Sequence, residues 1–172
     1  MKVACFVAFT TSASDLVAGD VNDSSDVLVY NRIAASFERV GAEVVVEVNG
    51  GNNESNSPSV SEDGRFVAFE SSASNLVGGD LNDTTDIFVY DRDTGSNELL
   101  TLGANGDSTN ASISGDGRFI AFESTASNLV VGDTNIFSDI FLYDRDTQSI
   151  ELLTLGGNEN SVNASISVIA GS

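Results

Sequence analysis

The same phrase is written three times in this chain of 172 residues, and repetition at this spacing leaves few ways to fold. Phe6-Val7-Ala8-Phe9 returns as Phe66-Val67-Ala68-Phe69 and as Phe119-Ile120-Ala121-Phe122. Each is followed by an Ala-Ser-Asn/Asp-Leu-Val phrase, beginning at Ala13, Ala73 and Ala126. An apolar run then closes each unit: Asp26-Val27-Leu28-Val29-Tyr30, Asp86-Ile87-Phe88-Val89-Tyr90 and Asp139-Ile140-Phe141-Leu142-Tyr143. The spacing is 119 − 66 = 53 residues between the later copies and 66 − 6 = 60 between the earlier ones. Such a period marks stacked supersecondary units, none of which buries its faces alone.

The second copy reads as four strands. Residues 56–61 are a short extended segment, and Glu62-Asp63-Gly64-Arg65 follows with the Asp-Gly pair of a tight hairpin. Residues 66–70 form a second strand, 86–90 a third and 97–102 a fourth, with a turn at Asp91-Arg92-Asp93-Thr94-Gly95. β-branched and aromatic residues fill the runs and Gly or Asn breaks recur, so helix is not expected. The middle strands are apolar without alternation, which requires cover on both faces. Four short antiparallel strands, covered on both sides and repeated about an axis, make a propeller blade.

The phrase Ser-x-Asp-Gly-Arg-Phe-Val/Ile-Ala-Phe, then Asp-Ile-Phe-Val/Leu-Tyr-Asp, then Leu-Leu-Thr resembles the WD40-like (PD40-type) repeat of TolB-type β-propellers. Residues 61–69, 86–95 and 99–101 carry it in copy two, and 114–122, 139–147 and 152–154 in copy three. Copy one matches from Phe6 but lacks the Asp-Gly-Arg turn. The resemblance implies an all-β propeller of four-stranded antiparallel blades, three to a chain, and a bacterial, periplasmic or secreted setting. The apolar start, Met1 to Phe9, aligns with strand positions of the other copies and is read as fold, not as a signal.

The expected division is blade 1 at about 1–55, blade 2 at about 56–109, blade 3 at about 110–162 and a closing strand at about 163–172. Asn163-Ala164-Ser165-Ile166-Ser167 matches the first strand of blade 3, Asn110-Ala111-Ser112-Ile113-Ser114, whereas blade 1 has no first strand. Propellers have about four to eight blades, so three do not close. Two chains make six. The expectation is a homodimer in which each C-terminal strand completes the partner's blade 1; the rival is a piece of a longer propeller.

The net charge is 7 − 26 = −19, which disfavours nucleic acid and anionic membranes. No run is long enough to be a membrane helix. There is no His and one Cys, so no intrachain disulfide and no obvious nucleophile-and-base pair exists. Cys5, in an apolar run, is expected to be buried. The expected function is a non-enzymatic binding module for a protein, peptide or glycan. The alternative is a self-assembling structural half-ring with calcium sites, and a glycoside hydrolase built on carboxylate pairs comes last because the acidic residues repeat threefold.

The calcium sites would lie in the connections between second and third strands, about 15 residues long. Their Asp-x-Asn-x-x-x-Asp pattern places Asp20, Asn22 and Asp26 in loop one, Asp80, Asn82 and Asp86 in loop two, and Asp133, Asn135 and Asp139 in loop three. The oxygens suit a hard cation. The pattern is not an EF-hand, since it lacks the sixth-position Gly and the bidentate Glu. Position twelve lies ~16 Å along an extended strand from position seven, at ~3.3 Å per residue. The other reading of these Asp and Asn residues is turn geometry.

Five of the seven basic residues repeat: Arg65 and Arg118 in the hairpin turns, and Arg32, Arg92 and Arg145 after the third strands. Ion pairs with Asp91, Asp144 or neighbouring blades are expected of them. The extra length of copy one falls within residues 41–51 and reads as an outer strand or small hairpin. Ile136-Phe137, an apolar pair in loop three, is expected to pack inward or, failing that, to form a contact site for a partner.

Overall fold

The structure, a computed structural model, describes residues 5–40 and 51–167. All eleven described elements are strands. They are β1 (Phe6–Thr11), β2 (Asp26–Asn31) and β3 (Ser36–Arg39); β4 (Ser55–Val60), β5 (Phe66–Ser71), β6 (Asp86–Asp91) and β7 (Ser96–Leu99); and β8 (Ser108–Ile113), β9 (Phe119–Ser124), β10 (Asp139–Asp144) and β11 (Ser149–Leu152). They form one three-stranded and two four-stranded antiparallel sheets, each in chain order. Among the described residues, the first sheet has no counterpart of the innermost strand that β4 and β8 supply to the other two. The insert at 41–50 lies outside the described residues, as do 1–4 and 168–172.

The two four-stranded sheets are held by the same cross-strand contact. Phe69 faces Phe88 and Phe122 faces Phe141, each pair stacked with ring centroids 5.6 Å apart. All four are fully buried, worth roughly 1.5–3 kcal/mol apiece. The absence of alternation in these strands has its cause here: one face of the second sheet packs on the first through Val67, Phe69, Phe88 and Tyr90, and the other packs on the third through Ala68, Ile87, Val89 and Leu100.

The fourth strands are shorter than their sequence suggests, ending at Leu99 and Leu152. Backbone pairing goes one step further, Leu100 N–H donating to the Ile87 carbonyl at 2.9 Å. The Thr101 hydroxyl then takes over, accepting the Ile87 N–H at 3.1 Å and donating to the buried Asp86 carboxylate at 2.5 Å. Thr154 does the same for Ile140 and Asp139. The inner strands are bulged where Ser57 (φ 51) and Asn110 (φ 53) turn left-handed, and Pro58 stands inside its bulge, where no ladder bond is needed from it.

A repeated stitch joins neighbouring sheets. Gly64 (φ 74) lies under the Phe6 ring so closely that an added Cβ would sit 2.0 Å from Cδ2. Gly117 lies under Phe66 in the same way. Arg92 stacks over Phe6, its guanidinium carbon 4.5 Å from the ring centroid, and pairs with Glu38 at 2.6 Å. Arg145 stacks over Phe66 at 4.2 Å and pairs with Glu98 at 3.0 Å. Arg65 and Arg118 instead hold their own sheets, pairing with Asp91 at 2.8 Å and Asp144 at 2.7 Å. Asp144 is held down to about 2, first by the hydrogen bond from Arg118.

Two expectations are corrected. Cys5 is exposed, not buried, and among the described residues no strand pairs with the inner edge of β1. Ile136 points outward and is 88% exposed, while its neighbour Phe137 is half-buried.

Candidate functional site: the acidic loop face

The second-to-third strand connections, residues 12–25, 72–85 and 125–138, share one end of the sheets with the segments that follow each fourth strand. Their polar groups interlock. Asn105 N–H donates to Asn128 Oδ1, and Ser127 N–H to Asn105 Oδ1 at 2.9 Å; Asn52, Asn75 and Ser74 repeat the arrangement one sheet earlier. Each connection begins with a hydroxyl that accepts the N–H two residues on: Thr11 from Ala13, Ser71 from Ala73 and Ser124 from Ala126. Ala73, Leu76 and Ala126 then plug into the core. The Ala-Ser-Asn-Leu phrase therefore anchors the loops. Its spacing of two small or apolar residues around polar ones was the available signal.

The nine predicted cation ligands come together in threes, one set per loop, but with their chemistry largely committed. In loop one, Asn22 Oδ1 accepts the Ser24 N–H, while its amide donates to the Gly51 carbonyl at 2.8 Å and to Asp26 at 3.4 Å. Asn82 donates to Asp86 and to the Ala104 carbonyl. Asn135 donates to Asp139 at 2.8 Å and accepts from Phe137 N–H. So each Asn presents hydrogens, not oxygen, to the last carboxylate of its set. Among the described residues, no three or more carboxylate, thiol or imidazole side chains are grouped so as to hold a metal ion.

Loop one carries its own cation, which sequence reasoning missed. Arg39 Nη1 lies 3.4 Å from Asp20 and 3.6 Å from Asp26, and Nη2 donates to the Gly19 carbonyl at 2.9 Å. All three side chains are buried. The contact to Asp26 is an ion pair at a distance beyond hydrogen bonding, so Asp26 Oδ2 and Arg39 Nη1 each lack a hydrogen-bond partner. Burial outweighs the arginine and pushes the Asp26 carboxyl above its ordinary value. In the other sheets the residue facing Phe88 or Phe141 on the outer strand, where Arg39 faces Leu28, is Leu99 or Leu152. Asp80 and Asp86 therefore have no guanidinium. Burial raises both, most directly by desolvation, with Asp80 adding repulsion at Asp86.

What this face leaves free is apolar. Leu81 and Ile136 are each 88% exposed at loop tips, and Val21, Val131, Leu102 and Leu155 stand out near them among the carboxylates.

No family model matches the chain, and no curated protein matches it. Solved structures do. TolB from Acinetobacter baumannii superposes at a TM-score of 0.52 with 16% identity, over 94% of this chain and 33% of its own. A putative TolB from Agrobacterium tumefaciens gives 0.52 and 20%, over 77% of this chain and 42% of its own. The fold is that of a TolB-type β-propeller. The β-propeller domain of the Trilobed protease from Pyrococcus furiosus, which has an open velcro topology, also matches, at 0.52 and 14% over 85% of this chain and 38% of its own. The chain thus spans well under half the length of these relatives. As a TolB-type sheet array it places its second-to-third strand loops, and with them the exposed apolar tips, at one end.

Proposed function

We propose that the chain is a non-enzymatic propeller module that binds a protein or peptide through its acidic loop face. The observation that carries this reading is the pair of leucine and isoleucine tips, Leu81 and Ile136, held out into water on loops braced from within by hydrogen bonds such as Asn82 to Asp86 and Asn135 to Asp139. Rigid loops lose little entropy on binding, and exposed apolar tips ringed by charge are the make-up of a recognition patch. With a net charge of −19, the ligand class that fits is a segment carrying both basic and apolar side chains. The lack of any His supports a role without catalysis.

The test uses a short peptide of alternating lysine and leucine, with the glutamate–leucine peptide as control, measured by calorimetry near physiological salt. The lysine peptide binds, more weakly as salt rises, and the Leu81→Asp, Ile136→Asp double variant loses that binding. Equal binding of both peptides, or binding unaffected by the double variant, overturns the reading.

A second reading, calcium at loop two, is favoured by one observation: Asp80 and Asp86 occupy the places of Asp20 and Asp26 without the guanidinium that loop one supplies. A bound cation would offset the repulsion that raises Asp86.

A further inference from the structure

The three acidic loops answer the same buried carboxylate in different ways. In loop one the Arg39 guanidinium does so. Its Nη1 lies 3.4 Å from Asp20 and 3.6 Å from Asp26 Oδ2, and its Nη2 donates to the Gly19 carbonyl. In loop three an amide does so. Asn135 Nδ2 donates to Asp139 Oδ2 at 2.8 Å, and the Thr154 hydroxyl donates to Oδ1 at 2.6 Å. In loop two the Thr101 hydroxyl donates to Asp86 Oδ1, which Asn82 Nδ2 also approaches at 3.4 Å. Asp86 Oδ2 has the Thr84 hydroxyl at 3.5 Å, the outer limit of a hydrogen bond. Among the described residues no Lys or Arg pairs with Asp80 or Asp86, although both are buried.

Loop two nonetheless has the backbone of loop one. Gly19 and Gly79 are left-handed, with φ 81 and 93, and so are Asp23 and Asp83, with φ 52 and 55. The oxygens around the guanidinium in loop one therefore have counterparts in loop two: the carboxylates of Asp80 and Asp86 and the Gly79 carbonyl. Leu99 stands at the place of Arg39, facing Phe88 as Arg39 faces Leu28, and brings no charge. A further oxygen sets loop two apart. Asn22 Oδ1 accepts the Ser24 N–H and Asn135 Oδ1 accepts the Phe137 N–H, but Asn82 Oδ1 is shut off from solvent and has no hydrogen-bond partner. A buried acceptor without a donor needs a positive partner of some other kind.

We infer that loop two holds one calcium ion in the place where loop one seats Arg39, so that a metal ion and a guanidinium are interchangeable counter-charges at this position of the repeat. The inference deepens the calcium reading of loop two and rests on it. Two carboxylates, an amide oxygen and a backbone carbonyl are the hard ligands calcium takes, with water completing six to eight positions. Charge favours the exchange. Arg39 leaves Asp20 and Asp26 with one negative charge in excess, whereas a divalent ion cancels both charges of Asp80 and Asp86. With two carboxylates the dissociation constant falls on the order of 0.1–1 mM.

The test titrates calcium chloride into the EDTA-treated chain by calorimetry. The parent is expected to bind one ion. Asp80→Asn weakens that binding roughly tenfold or more. Leu99→Arg supplies the guanidinium and abolishes it. Arg39→Leu, the reverse exchange, binds two ions, one in each loop, and calcium raises its melting temperature further than the parent's. A misfolded variant does not mimic that gain. No binding by the parent, or binding that Asp80→Asn leaves unchanged, overturns the loop-two reading and the inference with it. Binding that Asp80→Asn weakens and Leu99→Arg leaves intact, or an Arg39→Leu chain that still takes one ion, overturns the interchange alone.

Discussion

At the scale of single residues, Arg39 is the most consequential side chain that the repeat does not predict. It departs from the pattern, standing where the other copies have leucine, and only the fold brings it to Asp20 and Asp26. Replacing it with that leucine strands two buried carboxylates and is expected to cost about 3–5 kcal/mol near neutral pH, measured by urea unfolding. The pH dependence has a definite sign. Asp26 is raised in the folded state, so the stability linked to its proton is full below 3.8 and lost as pH rises through the folded value. Without Arg39 that value rises further. The difference between Arg39→Leu and the parent should therefore shrink on acidification and widen towards neutrality. Cys5 and Ile136 failed at this same scale, for one reason: the sequence shows how apolar a residue is, but not whether a neighbouring sheet reaches it.

At the scale of elements the sequence was far more legible, because a propeller strand announces itself twice, by its composition and by its copies. The starts of β5, β6 and β9 and the hairpin turns at Asp63-Gly64 and Asp116-Gly117 could be read directly. The bulge in each inner strand could not. It lies at Ser57-Pro58 and Asn110-Ala111, where the identities differ and only the backbone is shared. Nor could the early end of the fourth strands, since Thr101 continues the pairing with its side chain in place of its backbone. In the acidic loops, the sequence shows that Asp, Asn and Asp share each loop, but which atom each Asn turns inward depends on carbonyls such as Ala104, 22 residues away. The bulge makes a direct prediction. Asn110→Val puts a β-branched side chain at φ 53 and should cost about 1–2 kcal/mol, whereas Asn110→Gly should be near neutral in the same unfolding experiment.

At the scale of the whole molecule, the stitch of glycine, phenylalanine, arginine and glutamate acts only between adjacent sheets, so stability is a sum over neighbours. In a single copy the middle sheet has two neighbours and the outer two have one each. Amide hydrogen exchange in dilute solution should then find the middle strands β5 and β6 slower to exchange than β2 and β10. A continuous array thus carries a gradient of local opening, and the position of a blade in the row, more than its composition, sets how often its amides meet water.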